Sequence, residues 1–331
     1  MIAKSILLIL RSMGMITILI IIGSVITYAI YDKNTTVLFL NSSVFKFNGI
    51  LVGGFGYGLM FFIISQGKSI LVKLINIVDI NENNEHYIAN QFTKLVSWKR
   101  YFLLSFVVFI IGGYFLWNCG YPMDGFPKMY LAFFSCTIYF VASFILFFFI
   151  SIIIFFMKLD LFSEKVKMKK NFYQIDLNSF NMFFIITSTI GVFAIYLGFR
   201  GTLSANFLSD NIFFKKMLIL PIFLYLPVTL IYSFYPRYIL KKVNDHAIID
   251  RIKELDNIYH KEVSKEKSIK SRLKFEKMLL ELKERIYMES KQFPIISIKD
   301  SFSIFILIIM LLQFIVSNDP AIKEYVKYLF N

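Results

Sequence analysis

From Met129 to Met157 the chain carries no charged residue, and six other stretches are nearly as apolar. A run of about 20 apolar residues matches a hydrocarbon layer roughly 30 Å thick, and a soluble domain has no interior large enough to hide several of them. The runs fall near 8–30, 49–65, 101–119, 129–157, 181–199, 217–235 and 300–317. Only a helix satisfies its own backbone hydrogen bonds within one such run. The fold class expected is therefore all-α, a polytopic helical membrane protein of about seven spans. Composition agrees: 57% of the residues are hydrophobic and the mean hydropathy is +0.64.

The first run follows Lys4 and Arg11 and continues from Met13 to Ile30. It is longer than the core of a signal peptide and has no small-residue cleavage site, so it reads as a retained anchor. Placing the N-terminus inside leaves 1–11, 66–100, 158–180 and 236–299 on the cytoplasmic side, and these segments hold most of the 36 lysines and arginines. Basic residues favour that side. The expectation is a multi-pass protein of the cell membrane, with a cytoplasmic N-terminus and an extracytoplasmic C-terminus. The net charge of +14 is then explained by anionic lipid before nucleic acid.

Three regions follow: a six-span region (1–235), a cytoplasmic helical hairpin (236–299), and a last transmembrane helix with an outer tail (300–331). In the middle region apolar residues recur at helical spacing, as Val243, Ala247, Ile252, Leu255 and Ile258, then Phe275, Leu279, Leu282 and Ile286. The chain leaves and re-enters the membrane on one surface, so it must fold back, and the polar stretch His260 to Ser268 is the expected turn. Two smaller elements are also expected. Thr35 to Phe47 alternates like a β-hairpin turning near Asn41. Asn83 to Trp98 places Ile88, Phe92 and Leu95 on one face, as in a helix lying on the inner leaflet.

Candidate functional residues are few. Gly49, Gly53, Gly54 and Gly58 form two small-xxx-small pairs that allow close helix packing. The run from Gly54 to Gly58 lacks the Thr-Val-Gly-Tyr-Gly of a potassium filter. Pro221 and Pro227 should kink or break the sixth span, and Tyr225 and Thr229 beside them are the candidate ligand-facing groups. Lys265, Lys267, Lys270, Arg272, Lys274 and Lys277 cluster at and beyond the hairpin tip, a docking surface for a partner. No aromatic residue beyond Phe275 interleaves them, so nucleic acid is not expected.

The span centres show no Asp, Glu, His, Lys or Arg for a proton relay or a metal. Ser135, Thr137, Thr187 and Ser188 have no base within a span. No catalytic constellation, metal set or cofactor motif emerges. Partners expected are the bilayer, a cytoplasmic protein and a second copy of the chain.

Phe293-Pro294-Ile295 precedes Asp300 and the final run. A helical hairpin, an aromatic-Pro step and an acidic residue before a last span resemble a group of bacterial polytopic membrane proteins without assigned activity. The resemblance covers about 236–317 and implies architecture alone. The function expected is a membrane scaffold or effector subunit whose hairpin docks a partner. The alternative is a pore or transporter component using the second and sixth spans.

Overall fold

A computed structural model describes residues 1–40, 47–80, 90, 92–95, 97–118, 124–161, 166–168, 174–203, 212–263, 269–291 and 308–309. The fold is helical. In chain order it comprises α1 (Ile2–Ile30), α2 (Lys33–Leu40), α3 (Phe47–Phe62), a π-helical turn (Ile63–Gly67), α4 (Lys68–Ile77), β1 (Val78–Ile80), α5 (Trp98–Asn118), α6 (Phe126–Leu161), β2 (Val166–Met168), α7 (Gln174–Leu203), α8 (Ile212–Val263) and α9 (Ile269–Lys291). Among the described residues, four helical stretches are long and apolar enough to cross a membrane: Ile2–Ile30, Gly49–Leu74, Phe126–Asp160 and Ser179–Gly198. Much of α1 and α5 exposes large apolar side chains such as Ile18, Val25, Leu103 and Ile110, as lipid-facing helices do.

The glycines of α3 set the contact with α1. A Cβ on Gly53 would lie 2.6 Å from Ile16 Cδ1, one on Gly58 would lie 2.7 Å from Ile9 Cα, and one on Gly54 would overlap Met13. These contacts run in opposite chain order, so the two helices cross head to tail. Where no water is expelled between helices, close backbone approach is the main source of attraction.

Aromatic rings fill the centre. Trp98 and Tyr101 of α5 meet Phe144 and Phe148 of α6, while Phe183 and Phe184 of α7 pack beside Phe62 and Phe156. At the opposite end, Phe126 N–H donates to the Tyr31 hydroxyl at 3.1 Å. Gly125 beneath that hydroxyl has φ +70°, and a side chain there would strike the hydroxyl oxygen itself.

Several expectations are corrected. Lys33–Leu40 is a helix, so the β-hairpin is absent over that stretch; residues 41–46 lie outside the described residues. Asp32 Oδ1 accepts the Thr35 N–H at 3.0 Å, which caps the helix. The Thr35 hydroxyl and N–H hold this carboxyl below its ordinary range. Thr36 and Phe39 are both buried, a three-residue step that overrides the two-residue alternation of the sequence.

Phe92 and Leu95 turn onto the protein core, with Phe92 beside Phe155 and the Leu95 carbonyl accepting from Tyr101 Oη at 2.8 Å. They do not face lipid, and Ile88 lies outside the described residues. A short antiparallel ladder pairs Val78 with Met168 and Ile80 with Val166, a small exception to the all-α expectation. Of the final run, Ile308 and Ile309 are described, and both are helical.

Substituting Gly58 with Ala should lower stability by an amount on the order of 1–3 kcal/mol, because Ile9 backbone cannot yield to the added methyl. Gly14 has open space at its Cβ position, so Gly14→Ala should be neutral or stabilising by up to about 1 kcal/mol. Thermal unfolding in detergent of the two variants checks this contrast.

Candidate functional site

Helix α8 continues unbroken for 52 residues, through Pro221, Pro227 and Pro236. Of the kink or break expected at the sixth span, the break does not occur, and residues 235 and 236 lie in mid-helix rather than at an end. Pro occupies a helix when neighbouring elements hold it in place. Here the neighbours are α6 and α7.

Tyr225, Thr229, Ser233 and Arg237 lie at four-residue steps and form one ridge of α8. Thr229 is fully buried and donates to the Tyr225 carbonyl at 2.8 Å, so its hydroxyl is engaged within its own helix. Tyr225 is half-buried, and Pro227 is exposed.

The ridge continues into a set of contacts with α7. Tyr232 Oη and Thr187 Oγ1 share a hydrogen bond of 2.8 Å. Ser233 Oγ donates to Ser188 Oγ at 3.2 Å. Arg237 Nη1 donates to Asn181 Oδ1 at 3.3 Å, and its Nε donates to the Ser233 carbonyl at 2.5 Å. Residues rising along α8 meet residues falling along α7, which fixes the antiparallel register of the pair.

Arg237 is 0% exposed. The sequence places it just past the sixth span, where it would reach water, so this is a correction: a charged residue lies within the protein interior. Its guanidinium also sits 5.2 Å from the Phe234 ring centroid. Five donors in a planar fork make arginine suited to bridging one carbonyl, one amide and one hydroxyl. Below it, Phe149 stacks on Tyr232 with ring centroids 3.9 Å apart. The ring holds the phenol in place against Thr187.

One turn beyond, Lys242 Nζ is 2.8 Å from Asp160 Oδ1 on α6. The pair is partly exposed, and α8 leaves the helical body near this point. Beyond it α9 packs against α8, with Lys283 Nζ 2.5 Å from Asp256 Oδ1. Leu279 and Ile286 are half-buried on α9.

Among the proposed docking residues, Arg272, Lys274 and Lys277 are exposed. Lys270 lies in the first turn of α9, and Lys265 and Lys267 lie outside the described residues. Cys136 is a buried free thiol, and among the described residues no group of His, Cys, Asp or Glu could hold a metal ion.

Sequence reasoning missed Asn181, Tyr232, Ser233 and Arg237 as a unit. The available signal was the four-residue spacing of polar groups that began with Tyr225 and Thr229. Comparison with known protein families, curated proteins and solved structures gave no match to this chain.

Replacing Asn181 with Leu should destabilise the protein by roughly 1–3 kcal/mol, because the guanidinium keeps its burial and loses an acceptor. Arg237→Lys should not restore a native midpoint, since one ammonium cannot span the same acceptors. A double-mutant cycle of Thr187→Val with Tyr232→Phe should give a smaller coupling, about 0.6 kcal/mol. Chemical or thermal unfolding in detergent measures all three.

Proposed function

We propose that the protein is an integral membrane scaffold or effector subunit, with about seven spans and a cytoplasmic N-terminus, whose α8–α9 hairpin docks a cytoplasmic partner. The observation that carries this reading is the continuity of α8. Its first half lies among the apolar helices, and its second half is the first arm of the hairpin. The Arg237 contacts and the Lys242–Asp160 pair hold the base of that arm. From Lys242 to Val263 the arm extends about 30 Å at 1.5 Å per residue. A helix rooted in this way holds a surface at a fixed distance and angle from the bilayer, as a scaffold requires.

The alternative, a pore or transporter component, draws less support. Gly53, Gly54 and Gly58 are taken up by packing on α1. The proline-bearing segment continues as helix rather than opening into a binding loop. Reconstituted protein conducting ions or moving solute would favour this alternative.

Replacement of residues 248–288 by a flexible Gly-Ser linker of about six residues should leave the membrane region inserted, since the arms end side by side. Full-length and shortened chains purified from the same membranes in mild detergent can then be compared by quantitative mass spectrometry. At least one cytoplasmic protein should fall about tenfold or more with the shortened chain. An unchanged set of retained proteins would count against docking.

A further inference from the structure

At the end of the body where α1 and α5 begin, basic residues are segregated from acidic ones. Helix α1 crosses α3 head to tail with Ile9 against Gly58, so residues before Ile9 and residues after Gly58 lie on one side of that level. Lys4 stands about 8 Å beyond it and Lys68 about 15 Å, at 1.5 Å per residue. The Trp98 ring lies against Gly67, which brings Lys99 and Arg100 to the same end. Arg11 is about 3 Å short of the level. Side chains on a helix lean toward its N-terminus, so that of Arg11 leans toward the other four. All five are exposed. No Asp or Glu occurs in 1–30, 47–77 or 92–118. Past α4, Asp79 stands opposite Lys167 in the β ladder, and Glu82 and Glu85 lie outside the described residues.

The basic residues of the hairpin differ. Lys242 pairs with Asp160 at its base, and Lys283 with Asp256 above. Around Arg272, Lys274 and Lys277 the exposed Glu276, Glu281 and Glu284 interleave the cations.

The rim has a second property. Exposed apolar side chains lie next to its cations, always on the side toward the middle of the body. Leu7 is one turn from Lys4, Ile18 two turns from Arg11, Phe61 two turns from Lys68, and Leu103 one turn from Lys99. On three helices the surface thus passes from charged to apolar in the same direction. A ligand matching it carries an anion at one end and hydrocarbon at the other, which is the chemistry of a lipid rather than of a soluble acidic protein.

We infer that this rim is a binding site for anionic phospholipid, with headgroup phosphates on the five cations and acyl chains along the exposed sides of α1, α3 and α5. Lysine and arginine heads reach the interface while their stems lie along apolar surface. The inference goes beyond the docking reading and stands apart from it. An anionic leaflet senses the rim, while the hairpin cations are offset by their neighbouring carboxylates.

The full chain is reconstituted in nanodiscs of equal parts phosphatidylglycerol and phosphatidylcholine. Lipid kept after extraction in mild detergent is quantified by mass spectrometry. Phosphatidylglycerol should be retained about fivefold or more over phosphatidylcholine. Lys68→Gln/Lys99→Gln/Arg100→Gln should bring that ratio close to one. Arg272→Gln/Lys274→Gln/Lys277→Gln removes the same charge from the hairpin and should leave the ratio unchanged. Raising salt from about 0.05 to 0.5 M should lower it. The single variants Lys68→Gln and Lys99→Gln should each lower it about twofold or more while keeping a native unfolding midpoint, because both side chains are exposed.

Equal retention of the two lipids by the native chain would overturn the inference. So would an equal fall in the rim and hairpin variants, which would mark a response to net charge alone, or a ratio unmoved by the rim variants. Displacement of the retained lipid by soluble glycerol 3-phosphate would show an anion site with no need of acyl chains and overturn the lipid assignment.

Discussion

Inside hydrocarbon a polar group has no water to fall back on, so every donor and acceptor must find its partner within the protein. The backbone meets this demand by coiling, and the side chains meet it by turning onto the same coils. Thr17, Ser24, Thr27, Thr137, Ser143 and Thr187 each donate to a carbonyl three or four residues earlier. Among the described residues, the Ser105 hydroxyl is the buried side-chain polar atom left without a partner. With polar groups settled locally, little remains to pull one helix toward another except fit and a few cross-helix hydrogen bonds.

The molecule uses those two means in different places. Between α1 and α3 it uses fit, with Gly54 and Gly58 removing the side chains that would hold the backbones apart. Between α7 and α8 it uses hydrogen bonds, from Thr187 and Tyr232 to Asn181 and Arg237. The difference matters for register. Smooth apolar faces can slide past one another at small cost, whereas displaced hydrogen bonds leave buried groups unsatisfied. The register of α8 on α7 is thus more tightly specified than that of α3 on α1.

Burial of Arg237 sets the relation between the apolar helical body and the hairpin. A guanidinium withdrawn from water is tolerated only where acceptors surround it, and here they come from its own helix and from α7. The apolar body therefore extends past the point where hydropathy falls, and α8 has no reason to end there. A bend or a loop at residue 236 would break the Arg237 Nε bond to the Ser233 carbonyl one turn back.

The apolar blocks by themselves determined that the chain folds as long helices, because block length and the absence of charge are local properties. The helical spacing of Val243 to Ile258 and Phe275 to Ile286 likewise determined two helical arms with a fold-back between them. Tertiary structure alone decided what depends on a neighbour. Lys33–Leu40 became helix because Phe39 found a buried site beside Tyr130. Phe92 and Leu95 found the core rather than lipid. Arg237 was drawn inside by an asparagine 56 positions earlier in the chain, a separation no periodicity records. Hydropathy assigns each residue a preference for water or oil, but only a folded neighbour supplies the acceptor that lets a charged one stay dry.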